Sequence, residues 1–376
     1  MDLFHPAYWS GGLEAYRNYH AIYPPLGHLV LKLLRNPIYY ASDGFAGRDN
    51  DTFLLAVYLL SALALGAVFC CSRLRHPSPW PERVSRALIL SLSAPFLFAL
   101  ERGNLIMWCF PLVYLTVRWL QRGRAMPAAV ALGFAISLKP YLLVLMGAFL
   151  AERQWRALAL SVLWAGLVYL GAYLAYGSGS PMEILHNIHN FSNPIEYPWM
   201  ERFYLTWNVA EYLKLDKLYM PLGSLVGTRE WDAWLGLCRV LYYGSFAALG
   251  TCFAAAWRKG LCTMVDAMIV LASMLYLLHS TVGPYFLTFI IVLIMAKGQE
   301  IWARPSTWLL LLACLPMDIP AVKGVETEVF SWVSQSSVGF QLNLTFGEIL
   351  RPVLFSLFSL SFALEFWLGA RSTARP

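Results

Sequence analysis

Residues 52–72 contain no charged side chain, and roughly 20 apolar residues in helical form are enough to cross the hydrocarbon core of a bilayer. Similar runs recur at 87–100, 105–120, 126–150, 157–176, 231–257, 261–278, 285–296, 307–317 and 350–368. Composition agrees: 59% of the 376 residues are hydrophobic and 13% are charged, against about a quarter charged in an ordinary soluble domain. This excess is too large to hide in one water-soluble core. The runs predict an all-α polytopic membrane protein, one integral domain over residues 1–376, with about 8–11 transmembrane or half-spanning helices.

The net charge of +6 is explained by the sidedness of the cations, and nucleic acid is not needed as a partner. Arg73, Arg75, Arg83 and Arg86 follow the first run, and Arg118, Arg122 and Arg124 end the next pair. Arg153, Arg156, Arg258, Lys259, Lys297, Arg304, Arg371 and Arg375 fall on the same side, with only Glu82, Glu152 and Glu300 among the acids. The positive-inside bias makes that side cytoplasmic. Residues 1–51, 177–230 and 318–347 then become external. Asp43, Asp49 and Asp51 mark the edge of the first run.

Within the first external segment the apolar stretch 23–34 is amphipathic, as an interfacial helix would be. No membrane helix precedes this segment to carry it outside, so a first helix missing upstream is expected. No basic region followed by an apolar run marks a signal peptide. The run 126–150 is interrupted at Lys139-Pro140, and proline clashes with the preceding helical turn. A kinked or re-entrant pair is expected there, because arginines flank it on both ends.

Ionisable groups at membrane depth are expensive and are kept mostly where they have partners or a task. Asp2 and Glu14, on the external side, are candidates for a base that deprotonates a hydroxyl. Arg102 and Lys139 are cations placed where a lipid-linked phosphate would lie, and such cations neutralise charge on a leaving phosphate. For Lys139 the alternative is a side chain snorkelling to the interface, and for Glu101-Arg102 a local ion pair ending a helix. His279, before Ser280 and Thr281, could orient a phosphate or a hydroxyl.

His186 and His189 are spaced for one helical face, but no third metal ligand lies near them. The seven cysteines sit in or beside apolar stretches without zinc-like spacing, as buried small side chains do. No nucleotide-binding loop or nucleophile elbow is present. Most of the acids and the irregular polar turns gather on the outer face.

Tyr23-Pro24-Pro25 precedes an apolar stretch, Arg102-Gly103-Asn104 opens an apolar helix, and Ser137-Leu138-Lys139-Pro140-Tyr141 leads to Arg153-Gln154-Trp155-Arg156. A weaker late element runs from His279-Ser280 to Tyr285-Phe286. In order and spacing this ensemble resembles the multi-spanning C-type glycosyltransferases, in particular the polyprenol-phosphate-dependent mannosyltransferases of glycosyltransferase family 87. The resemblance covers about the first half of the chain and one late patch.

The resemblance implies transfer of a single sugar, mannose or another hexose, from a polyprenyl-phosphate donor to a lipid or glycan acceptor. The reaction would take place on the outer face of the inner (plasma) membrane, and it requires no cofactor because phosphate is already a good leaving group. It implies a carboxylate base upstream of the Tyr-Pro-Pro element, the relation Asp2 bears to Tyr23. Asp2, Glu14 and His279 are thus the expected catalytic residues, and Arg17, Tyr23, Glu101, Arg102, Asn104, Lys139 and Tyr141 the expected substrate-binding ones. Two departures stand out: the preceding helix is absent, and Glu101-Arg102 replaces the Gly-Gln more usual before the asparagine. The competing readings are a lipid or solute transporter or flippase, and a surface-polysaccharide polymerase or ligase acting on a diphosphate carrier.

Overall fold

A computed structural model describes residues 2–12, 15–71, 80–176, 180–191, 227–278, 284–297, 302–317, 319–322, 326–331, 336–341 and 344–372. The architecture is that of an all-α polytopic membrane protein. Among the described residues three helices are long and apolar enough to cross a bilayer, at Trp155–Tyr176, Asp232–Arg258 and Leu350–Leu368. A fourth crossing is available if the bent pair Trp80–Leu92 and Ala94–Arg102, at 53°, forms one span. The chain divides into two compact units, each built around its own packed interior.

The first unit holds residues 1–193, 262–273 and 285–303. It opens with α1 (Phe4–Trp9), α2 (Ala15–Asn18) and α3 (Pro25–Leu34). Pro25 occupies the first helical position of α3, where its missing N–H costs nothing. The stretch expected to be amphipathic forms α3, which buries Gly27, His28 and Leu31. A short helix, α4 (Gly44–Asn50), is capped by Asp43, whose carboxylate accepts from the Ala46 N–H at 2.8 Å.

Next comes α5 (Thr52–Cys71), the uncharged run, which starts where Asp51 accepts from the Leu54 N–H at 3.1 Å. The aspartates ahead of the first span therefore act as helix caps at Asp43 and Asp51.

The run at 87–100 is not one helix. It is divided at Ser93 between α6 (Trp80–Leu92) and α7 (Ala94–Arg102). Pro95 cannot donate to the preceding turn and its ring would crowd it, so α6 stops and Ser93 turns extended. After α7 the chain continues as α8 (Ile106–Gln121) and α9 (Ala125–Leu138). A 3₁₀ turn (Pro140–Met146) and α10 (Gly147–Ala151) complete the interrupted element, and α11 (Trp155–Tyr176) follows it.

The break behind α9 falls where expected, and its cause is local. A residue before proline is pushed out of the helical region, and Lys139 is extended, at φ −141° and ψ 95°. Helix α12 (Pro181–Phe191) closes this part of the unit; within the loop at 177–230, residues 192–226 lie outside the described ones.

The second unit holds residues 194–261, 274–284 and 304–376. Its helices are α13 (Thr228–Arg258), α16 (Pro305–Ala313) and α17 (Phe346–Ser372); α14 (Met264–Leu278) contributes its last residues, and α15 (Leu287–Met295) belongs to the first unit. The short apolar run expected at 307–317 is helical only as far as Ala313. Along α17 the rings of Phe355, Phe358 and Phe362 pack in sequence, and Tyr276 meets Phe355 at 4.7 Å.

Buried Arg351 donates to the Leu315 carbonyl at 3.1 Å, closing the end of the α16 segment. Between these helices β1 (Pro320–Val322) pairs with β4 (Leu344–Thr345), and β2 (Glu326–Ser331) forms an antiparallel hairpin with β3 (Ser336–Gln341).

Candidate active site

The turn between α7 and α8 is built by backbone rules. Gly103 sits in the left-handed region at φ +68°. The Gly103 N–H donates to the Leu100 carbonyl at 3.1 Å and the Asn104 N–H to Ala99 at 3.0 Å, the paired bonds of a Schellman cap. The Asn104 side-chain oxygen then accepts from the Ile106 N–H at 3.1 Å and starts α8. From α5, the buried Tyr58 hydroxyl donates to the Ala99 carbonyl at 2.7 Å and reaches that of Asn104 at 3.2 Å. The turn is therefore fixed from inside and from beside.

Arg102 and Asn104 flank that glycine, and both reach the N-terminal segment. The Asp2 N–H donates to the Arg102 carbonyl at 2.8 Å. Its carboxylate accepts from the Arg102 guanidinium at 3.1 Å and from the Asn104 amide at 2.9 Å. Only 14% of the Asp2 side chain is exposed, so these bonds fix its direction. A Cβ on Gly103 would come within 2.8 Å of the Leu3 Cβ; no larger residue lets the two segments meet this closely.

The remaining cation arrives from the broken helix. Lys139 is buried, and its ammonium lies 4.4 Å from the centroid of the Tyr23 ring. The Asp2 carboxylate is close enough to attract it electrostatically. Asp2, Tyr23, Arg102, Asn104 and Lys139, from four separate stretches of the sequence, are thus brought together within one unit.

The N-terminal segment is held in place by neutral groups. Tyr176, at the end of α11, donates to the carbonyls of Trp9 at 3.2 Å and Gly12 at 3.0 Å. The buried Asn187 amide on α12 donates to Tyr16 at 2.7 Å and Ala21 at 3.2 Å. Tyr16 in turn donates to the Tyr23 carbonyl at 2.9 Å. His28 is wholly buried, stacked on Tyr176 at 5.4 Å and meeting Tyr16 edge-on at 5.5 Å. Burial pushes its pKa down to about 4, which keeps the ring neutral.

The other expected residues fare differently. Arg17 is exposed on α2 and pairs with Glu183 at 3.4 Å. Glu101 is exposed at the end of α7, while Arg102 turns toward Asp2. Tyr141 packs edge-on against Phe286 at 5.5 Å, with its hydroxyl buried and without a hydrogen bond. His186 and His189 are both exposed on α12. Glu14 and His279 lie outside the described residues.

A model of glycosyltransferase family 87 matches residues 21–281. The chain belongs to glycosyltransferase family 87. Among curated proteins and among solved structures, none matches it. The stretch matched by family 87 contains Tyr23, Arg102, Asn104, Lys139 and Tyr141, while Asp2 precedes it. Of the activities weighed from the sequence, membership in family 87 supports glycosyl transfer over plain transport.

Replacing Gly103 in this family 87 chain tests how tightly the cluster depends on its turn. Gly103→Ala combines left-handed strain with the Leu3 collision and is expected to cost more than about 2 kcal/mol of stability. Gly123 has the same conformation, at φ +70°, with nothing within 4 Å of an added Cβ. Gly123→Ala should cost only the strain, about 1 kcal/mol. Thermal unfolding of the two variants in the same micelles compares them directly; equal losses would show that the approach of Leu3 carries no weight.

Proposed function

We propose that this family 87 glycosyltransferase moves one sugar, mannose or another hexose, from a polyprenyl-phosphate donor to an acceptor hydroxyl. The transfer takes place on the extracytoplasmic face of the inner (plasma) membrane. The observation that carries the reading is one oriented carboxylate, Asp2, bonded to the Arg102 guanidinium and within electrostatic reach of the Lys139 ammonium. A sugar phosphate needs both kinds of group: a base for the incoming hydroxyl and positive charge for the departing phosphate.

The acceptor oxygen attacks the anomeric carbon as the bond from that carbon to the phosphate oxygen breaks. The hydroxyl proton passes to the Asp2 carboxylate, and the electron pair of the broken bond leaves on polyprenyl phosphate. Asn104 holds Asp2 by one oxygen, leaving lone pairs for the acceptor. A guanidinium has five N–H donors, enough for Arg102 to hold Asp2 and a phosphate oxygen together. Tyr23 supports the Lys139 ammonium from beneath its charge. The positive-inside distribution of Arg and Lys supports the external assignment of Asp2 and Arg102. His279 is a further candidate for holding the phosphate.

Donor choice tests the proposal. The full chain reconstituted in liposomes is offered radiolabelled mannose or glucose on polyprenyl phosphate, on polyprenyl diphosphate, or as the nucleoside diphosphate sugar. Label should reach a glycolipid acceptor extract from the monophosphate alone. Comparable transfer from a nucleotide sugar would overturn the donor assignment, and comparable transfer from the diphosphate would favour a polymerase or ligase.

A further inference from the structure

Arg118, on α8, is a buried cation that the chemistry described so far does not use; only 8% of it is exposed. The two other buried cations described in the first unit have partners. Lys139 lies over the Tyr23 ring, and Arg86 donates to the Met295 carbonyl at 3.0 Å and pairs with Glu82. Among the described residues, none gives the Arg118 guanidinium a hydrogen bond, an ion pair or a ring to lie over. An arginine cannot shed its charge, and a buried charge without a partner is costly in a membrane protein.

The surroundings are those of a basic recess at one end of a helix bundle. Phe110, Tyr114, Arg118 and Gln121 recur along α8 at helical spacing and so share one side of it. That side meets α15: Phe110 packs edge-on against Phe289 at 4.8 Å, and the Gln121 amide donates to the Ala296 carbonyl. Arg86 reaches the same end of α15 from α6 and is within electrostatic reach of Tyr114. Arg118 stands at the margin of this packed side. Leu115, one turn before it, is 38% exposed, and Arg122, one turn after it, is exposed as well.

This end of α8 is the one that the arginine distribution makes cytoplasmic. From Ile106, beside the Arg102–Asn104 turn, to Arg118 the helix rises roughly 18 Å, so the recess is separate from the Asp2 cluster. A cation in the last turn of a helix also complements its dipole, and a long side chain can snorkel to water. Both explanations fit exposed charges, which Arg122 and Arg124 already supply at this helix end. Arg118 is covered by protein instead.

A guanidinium matches two phosphate oxygens at once, and basic pockets between membrane helices on the cytoplasmic side suit acidic headgroups. A phospholipid brings both a phosphate and apolar chains, and the exposed Leu115 lies on the membrane side of the two arginines. We propose that Arg118, with Arg122 at the rim, holds the phosphate of an anionic phospholipid of the cytoplasmic leaflet, whose acyl chains run along α8 past Leu115. The site rests on no assignment of sugar donor or base.

The test uses the full chain in nanodiscs of phosphatidylglycerol and phosphatidylcholine in equal amounts, and native mass spectrometry counts the lipids kept on release. The parent should keep phosphatidylglycerol in preference. Arg118→Gln should lower the bound fraction about tenfold, as the loss of charged hydrogen bonds does. Arg124→Gln, at an exposed arginine, should stay within about twofold. If Arg118→Gln does not fold, Arg118→Lys, which keeps the charge and loses the paired donors, should lower it about threefold.

Inorganic phosphate is the second probe, read by thermal unfolding of the same proteins in phosphatidylcholine nanodiscs. Stabilisation of the parent and not of Arg118→Gln, without retained phosphatidylglycerol, would overturn the lipid as the source and leave a site for soluble phosphate. Equal retention of the two lipids by the parent, or equal losses in Arg118→Gln and Arg124→Gln, would overturn the site, because the charge of the whole face would then gather the lipid. Retention of neither lipid and no response to phosphate would overturn it as well.

Discussion

Asp2→Asn lowers the turnover of sugar transfer by about 10³-fold, within the range attributed to a positioned general base. The substitution keeps the size of the side chain and removes its capacity to take a proton. It also changes what the neighbours meet. The Asp2 carboxylate accepts from both Arg102 and Asn104; an amide offers one acceptor oxygen and turns its NH₂ toward a donor. Part of the loss will therefore be orientation, and Asp2→Glu separates the two effects. Glutamate keeps the base and the charge, displaced by one methylene, so it should recover part of the turnover lost by asparagine.

The measurement is the initial rate in proteoliposomes at saturating donor, with donor KM determined in parallel. A base that does not bind the donor should leave KM within a few-fold. If Asp2→Asn is silent and Glu14→Gln is not, the base is Glu14 and the Arg102–Asp2–Asn104 contact is structural.

The charged members of this cluster were legible in the sequence, because charge at membrane depth is conspicuous whatever the fold. Arg102 and Lys139 could be singled out without knowing what they face. The Lys139-Pro140 break was legible for a different reason: proline restricts its predecessor locally, and no tertiary contact needs to be known. Pro95 carries the same signal, yet the apolar run at 87–100 reads as continuous, since hydropathy hides a break that the backbone cannot avoid.

The groups that hold the cluster together were not legible. Tyr58, Tyr176 and Asn187 are neutral, and each acts by donating to carbonyls distant in sequence, from Ala99 to Trp9 and Tyr16. Nothing in composition or period distinguishes such a tyrosine from one that only fills space. The collision of Gly103 with Leu3 is likewise a fact of two segments, although glycine between a helix end and a polar residue was a sign of a left-handed turn. Arg17 and Glu101 show the reverse case, where charge drew attention to exposed side chains, one of them paired to Glu183.

Lys139→Met should leave the protein as stable as the parent, or more stable, and reduce transfer by about 10²–10³-fold through loss of electrostatic stabilisation. The argument starts from burial. Lys139 is 9% exposed and its ammonium lies over the face of Tyr23. Taking an ammonium out of water costs several kcal/mol, and an apolar side chain of similar length at this buried position removes that cost while Asp2 keeps its bonds to Arg102 and Asn104. A fold selected for stability alone would gain from methionine at this position.

Tyr23→Leu should weaken transfer by about tenfold, since a desolvated cation–π contact contributes roughly 1–2 kcal/mol. Once Lys139 is methionine, the ring has no charge to hold, so Tyr23→Leu should then cost little more. That non-additivity assigns the effect of the ring to the ammonium. Thermal unfolding and donor KM, measured on the two single variants and the double, complete the comparison. Full transfer by Lys139→Met would make the lysine a stem lying along apolar surface and would remove the second cation from the phosphate.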